Sequence, residues 1–283
     1  MNWAGQTVMI TGASSGIGAG FATALAARGA DLVLVARSED VLTHTARRLR
    51  AAYGIRAEVV VQDLTAPGAA DIVRAATDQR GLTVDALINN AGFASAGRLH
   101  EVPAERVSTE VALDVSALVD LTTAYLPGMV ARRRGAIVNV ASIAAFQPTP
   151  YMAVYGASKA FVLSFSQALR QENRGTGVRV TAVCPGPVDT GFFGVVGTSE
   201  ARVGRTRPVT YVVARALRAV ERNRPVVTPG PENAWVPLAS RLMPRRLVAA
   251  VTAHSLRGAA ASPSAAQVPT AGAVTAGYPA TDH

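Results

Sequence analysis

Lysine is almost missing from this chain. Lys159 stands alone against 27 arginines among 283 residues. Cysteine is equally scarce. Cys184 is the sole one, which excludes an intramolecular disulfide and fits a reducing cytoplasm. At a strand end it reads as a small buried hydrophobe, and no base nearby marks it as a nucleophile. The four histidines, His44, His100, His254 and His283, have no metal-ligand spacing, so no metal is expected. Aromatic residues are only 5% of the chain, and none interleaves with the densest basic cluster, Arg132-Arg133-Arg134. The net charge of +9 therefore predicts no nucleic-acid partner, although a weak attraction to acidic surfaces remains. No apolar run is long enough to span a membrane. The longest charge-free stretch, Gly135 to Ser158, contains Asn139, Gln147, Pro148 and Pro150, and reads as a buried strand followed by a loop. Met1 to Gly5 leads straight into a strand, so no leader peptide is expected.

What is present suits one sizeable α/β domain. Apolar residues make up 49% of the chain, enough for a large core. Thr7–Ile10, Asp31–Arg37, Ala57–Gln62 and Val84–Ile88 are short apolar runs of the kind buried in parallel sheets. Helical patterns separate them: one up to Arg28-Gly29, one over Glu39–Tyr53, one near Ala69–Gln79. Further strands are expected at Ala136–Val140, Val178–Val183 and Pro225–Thr228. Pro103–Arg133 is long and helical with one break near Ser108, and helices follow at Met152–Arg174 and Val209–Arg222. Gly191–Pro208 has several glycines and little periodicity, and reads as a mobile lid. Alternating strands and helices predict a doubly wound parallel sheet with helices on both faces.

Three stretches carry chemistry. Thr11-Gly12-Ala13-Ser14-Ser15-Gly16-Ile17-Gly18 lies between the first strand and its helix. There it can cradle a phosphate, with glycines for the tight turn and a helix N-terminus toward the anion. At the end of the second strand Ala36 is followed by Arg37. Many dinucleotide sites place a carboxylate there for the ribose 2′-hydroxyl; an arginine suits a 2′-phosphate. Tyr155 and Lys159 are four apart on one helix face, with Ser142 thirteen residues upstream of the tyrosine. An ammonium beside a phenol favours the phenolate, so Lys159 is expected to lower the pKa of Tyr155 from about 10. Such a tyrosine exchanges protons with a substrate oxygen, and the serine hydroxyl can hold that oxygen.

Taken together, Thr11–Gly18, Asp63, Asn89–Gly92, Ser142, Tyr155–Lys159 and Pro185–Thr190 resemble the short-chain dehydrogenase/reductase family, in its order and approximate spacing. The resemblance runs from residue 6 to about 230. It implies a seven-stranded Rossmann-type sheet, NADP(H) as cofactor, and hydride transfer between that cofactor and a carbonyl or secondary alcohol. By motif, Ser142, Tyr155 and Lys159 would be catalytic, with Tyr155 as general acid/base. Gly12, Ser14, Ser15, Gly16, Ile17, Gly18 and Arg37 would hold the cofactor's phosphates. Asp63 and Leu64 would meet the adenine, and Asn90, Ala91 and Gly92 would form the cofactor wall. Pro185, Gly186, Val188 and Thr190 would face the nicotinamide, and Tyr155 and Lys159 its ribose. Pairing through the two long helices would give a homodimer or homotetramer. A non-catalytic NADP(H)-binding regulator of the same fold is the alternative, and the intact Ser142, Tyr155 and Lys159 argue against it.

One departure stands out. The family usually has an asparagine in the long helix before the serine strand, and this chain has Asp114. Aspartate keeps the backbone role but brings a charge, so Asp114 is a candidate fourth catalytic residue. Residues 1–230 are expected to form the cofactor-binding and catalytic domain. Residues 231–257 should be a basic, amphipathic helical extension packed on that domain rather than on a membrane, and 258–283 a disordered tail. The apolar extension points to a lipophilic substrate.

Overall fold

The computed structural model describes residues 1–198 and 201–261. Seven strands form one sheet: β1 Thr7–Thr11, β2 Asp31–Ala36, β3 Ala57–Val61, β4 Ala86–Asn89, β5 Gly135–Val140, β6 Val178–Val183 and β7 Val226–Val227. Their order is β3-β2-β1-β4-β5-β6-β7, and every neighbouring pair is parallel. The strands are buried on both faces, so their side chains alternate between two cores. Val8 and Ile10 of β1, with Leu32 and Leu34 of β2, join the core beneath α1 (Gly16–Ala26) and α8 (Val209–Glu221). Met9, Val33 and Val35 point the other way, to α3 (Ala69–Gln79) and α5 (Ala117–Ala131). The doubly wound architecture expected from the alternation is the one observed, and α2 (Glu39–Tyr53) and α3 fall on the expected bounds. Strand order reverses between β1 and β4, and the carboxyl ends of strands at such a point leave a crevice for a ligand.

The long helix differs from expectation. It stays helical through Ser108, whose hydroxyl donates to the Ala104 carbonyl at 3.0 Å within its own helix. The irregularity lies further on: α4 (Ala104–Val111) gives way to a π-helical turn at Ala112–Ser116 before α5. Asp114 sits in that wider turn, a device common at functional sites. Helix α6 (Ala153–Glu172) carries Tyr155 and Lys159.

The stretch read as a lid has structure. Its ends are clamped by a bridge between Val188 and Arg207, and α7 (Phe192–Val196) lies between. The C-terminal extension forms α9 (Val236–Leu242), α10 (Arg245–Ser255) and α11 (Arg257–Ala261). Order therefore continues past 258, because Leu256 and Ala259 bury themselves against Ala94, Met152 and Val196. The rest of the tail lies outside the described residues.

Candidate active site

A cleft of about 450 Å³ opens at the carboxyl ends of β1, β4, β5 and β6. Of the proposed cofactor residues, all but Gly18 line it; Ser142, Tyr155 and Lys159 form its floor. Gly18 serves packing instead. A Cβ there would lie 2.2 Å from the Gly12 carbonyl oxygen and 2.6 Å from Asn90 Nδ2, so the helix meets the loop only at a bare backbone. Gly12 is bounded in the same way and has a positive φ of 63°. Asn90 ties the loop down: its amide nitrogen Nδ2 donates to the Thr11 carbonyl at 2.8 Å, and its backbone N–H to Thr11 Oγ1 at 2.9 Å.

The site fits a dinucleotide. Helix α1 begins at Gly16 with no side chain capping it and no acidic residue in its first turn, so its N–H groups face the cleft where Ser15 and Ile17 line it. Arg37 lines the cleft at the β2 exit. Asp63 holds its own turn, accepting from the Thr65 backbone at 2.9 Å and the Thr65 hydroxyl at 2.7 Å.

At the floor, β5 delivers Ser142 in extended backbone, and its hydroxyl accepts from Ala144 N–H at 3.2 Å. The Ser142 side chain also favours the ionised Tyr155 phenol. The Lys159 ammonium lies 5.5 Å from the Tyr155 ring centre and donates to the Val140 carbonyl at 3.4 Å. Burial drives the Tyr155 pKa up, and this outweighs the lowering by Lys159 and Ser142. The direction expected from the Tyr–Lys spacing alone is thus reversed in the protein by itself. The lysine's contribution is present, but desolvation of the phenolate exceeds it.

Asp114 lies behind the cleft rather than in it. Its Oδ2 is 2.8 Å from Lys159 Nζ, and its Oδ1 accepts from Phe93 N–H at 3.0 Å. Both partners are buried. Burial would lower the lysine's pKa, but the charge of Asp114, helped by Tyr155, more than reverses this and raises it. Asp114 touches Lys159 and does not line the cleft.

Two residues that carried no sequence expectation join this line. Arg106, Glu110 and Asp114 are four apart, on one helix face, and all three are buried. Arg106 donates to the Ala94 carbonyl at 3.1 Å and to the Val195 carbonyl of α7 at 2.7 Å. Glu110 faces the Ser95 hydroxyl and backbone, yet neither carboxyl oxygen completes a hydrogen bond of good geometry. Burial, with help from Asp114, pushes its carboxyl up to about 7 against the pull of Ser95 and Arg106. The repeated spacing of four was the available signal, but charged residues at that spacing ordinarily mark a solvated face. Cys184 is buried as expected, and burial pushes its thiol up to about 12.

The outer part of the cleft is apolar. Phe192 packs against Tyr155 with ring centres 5.7 Å apart, and Phe193, Val203, Val251 and Leu256 continue the wall.

Comparison with known proteins agrees with this geometry. Residues 6–201, more than half the chain, match the family model described as short chain dehydrogenase. The ketoacyl reductase HetN of a Nostoc species is 37% identical over 218 residues, 76% of either chain. The solved short-chain dehydrogenase from Sphingobium yanoikuyae, in complex with NADPH, superposes with a TM-score of 0.77 at 38% identity over 83% of this chain and 93% of its own. The bulky-bulky ketone specific alcohol dehydrogenase from Comamonas testosteroni gives 0.72 at 33% identity, covering 83% and 91%. With the family's strand order, glycine loop and Ser–Tyr–Lys floor all in place, this chain belongs to the short-chain dehydrogenase family.

Proposed function

We propose that the protein is an NADP(H)-dependent oxidoreductase acting on a carbonyl or secondary alcohol. The observation that carries this is Ser142, Tyr155 and Lys159 meeting at the floor of a cleft whose far end is a glycine loop and an open helix N-terminus. The α1 N-terminus and the Gly12–Gly18 loop hold the pyrophosphate, and Arg37 the 2′-phosphate. Asp63 and Leu64 take the adenine, and Asn90 to Gly92 with Pro185 to Thr190 enclose the rest. When bound, the nicotinamide supplies or accepts the hydride. Ser142 Oγ orients the substrate oxygen, Tyr155 Oη gives it a proton in reduction or takes one in oxidation, and Lys159 Nζ stabilises the phenolate.

The substrate is a lipophilic ketone or its alcohol. Its place is the apolar wall formed by Phe192, Phe193, Val203 and Leu256, which gives no charged partner to a polar one. The Comamonas relative, named for bulky ketones, supports the same reading. Residues 1–230 form the catalytic domain, 231–257 a helical cover, and the enzyme works in the cytoplasm. Half-exposed Val111 and Phe161 lie on the two long helices and supply an apolar face for a dimer or tetramer. A panel of ketones incubated with NADPH tests the function. Oxidation of NADPH, fastest with bulky apolar ketones, is expected; none with any ketone would overturn it.

A further inference from the structure

The apolar wall of the cleft does not stop at its mouth. Val251 and Val203 line the cleft and are also exposed to solvent. Further exposed apolar side chains precede Val251 in the chain. Leu247 is one turn away on the outer face of α10, and Met243, Leu242, Leu238 and Trp235 follow on and beside α9. Leu242 is 76% exposed and Trp235 70%, far beyond what packing on this domain would leave. Helix α10 thus has apolar residues both covered and open: Val248 is buried, Leu247 is exposed, and Val251 is exposed where it lines the cleft. So many large apolar side chains left exposed on two successive helices mark an interaction surface.

Charge decides what the surface meets. Between Asn233 and Arg257 the chain carries Arg241, Arg245, Arg246 and Arg257 and no acidic residue. Arg245 and Arg246 are exposed at the start of α10. A two-fold pairing of this face would press the arginines of two copies together with no carboxylate to answer them. An anionic lipid surface answers them and accepts tryptophan and leucine at the headgroup level. Among the described residues no helix is long and apolar enough to cross a membrane, so the contact is a docking on the surface. We infer that the outer face of α9 and α10 docks on an anionic lipid bilayer, and that the substrate enters the cleft from it past Val251 and Val203. The docking stands by itself; the entry route rests on the oxidoreductase reading.

The test is sedimentation of the full chain with vesicles. Phosphatidylcholine vesicles containing phosphatidylglycerol should pellet the protein, and pure phosphatidylcholine or high salt should release most of it. Trp235→Ser, Leu242→Ser and Leu247→Ser together should weaken binding by about tenfold or more. Arg245→Gln and Arg246→Gln should each cost about fivefold. None of these residues lines the cleft, so the triple variant should keep its melting temperature and its NADPH oxidation with a water-soluble ketone. Its rate with a ketone dissolved in the vesicles should fall. A wild-type chain that stays in the supernatant with the anionic vesicles overturns the docking. So does a triple variant that pellets like wild type, or light scattering that shows wild-type self-association abolished by the triple substitution. If no ketone supports NADPH oxidation, the functional reading fails, and sedimentation still decides the docking.

Discussion

Lys159 and Asp114 form a buried ion pair of 2.8 Å directly behind the catalytic tyrosine. Where the family usually has a neutral asparagine, this enzyme has a carboxylate, and we propose that it acts on Tyr155 through Lys159. The carboxylate's negative charge adds to the burial that raises the Tyr155 pKa. Alcohol oxidation needs the phenolate, so its rate should rise only at alkaline pH. Asp114→Asn removes the charge and leaves an oxygen to accept from Phe93 N–H. The pH profile of kcat/KM for an alcohol should move to lower pH, with substantial activity kept. Superimposed profiles, or a move to higher pH, would count against the electrostatic role. Asp114→Ala leaves the ammonium unanswered and should cost roughly 3–5 kcal/mol of stability.

Tyr155→Phe keeps the ring against Phe192 and deletes the proton donor. Loss of a positioned general acid should lower kcat by about 10²–10⁴-fold. The Kd for NADPH, measured by fluorescence titration, should change little. A variant with near wild-type kcat would show that the proton comes from elsewhere.

Much of this was readable in the residues. Helices α2 and α3 could be bounded because their apolar positions repeat cleanly and Gly54 ends α2. The glycine loop and the Tyr155–Lys159 pair are local patterns, and local patterns survive folding. Features that depend on long-range packing were not readable. The helix break was expected at Ser108, but that serine bonds back into its own helix, and the irregular turn forms where Asp114 must reach Lys159. The direction of the Tyr155 shift depends on burial by Phe192 and the C-terminal helices, which spacing cannot reveal. Glu110 carried no expectation, because nothing in its sequence neighbourhood announces its burial.

Arg37 lines the cleft at the end of β2, where the ribose is expected. A charge-assisted contact to a 2′-phosphate contributes about 1.5–3 kcal/mol, or roughly ten- to a hundredfold in affinity. The wild type should therefore prefer NADPH over NADH by about that factor. Arg37→Ala should lose most of the preference by weakening NADPH and sparing NADH. Equal dissociation constants for both cofactors in the wild type would refute the assignment.

Glu110 makes the stability of the enzyme depend on pH in an unusual direction. Its carboxyl is held at about 7 in the folded chain, against an ordinary value of 4.5. Arg106 and Ser95 face it and favour the charged form; Asp114 and burial oppose it, and burial is the largest effect. Between those two pKa values the folded state keeps the proton and the unfolded state has released it. Stability should then fall as pH rises through this window, by about 1.4 kcal/mol per unit and roughly 3 kcal/mol in all. A carboxylate with a depressed pKa would do the reverse. Glu110→Gln keeps the shape and cannot titrate, so it should remove this contribution and be the more stable protein at pH 8. The measurement is urea unfolding of both proteins at pH 5 and pH 8. The difference between their free energies of unfolding must change by roughly 2.5 kcal/mol between the two pH values, in favour of the glutamine variant at the higher one. A difference that stays constant would mean that Glu110 is ionised in the folded enzyme throughout, with Arg106 and Ser95 outweighing its burial.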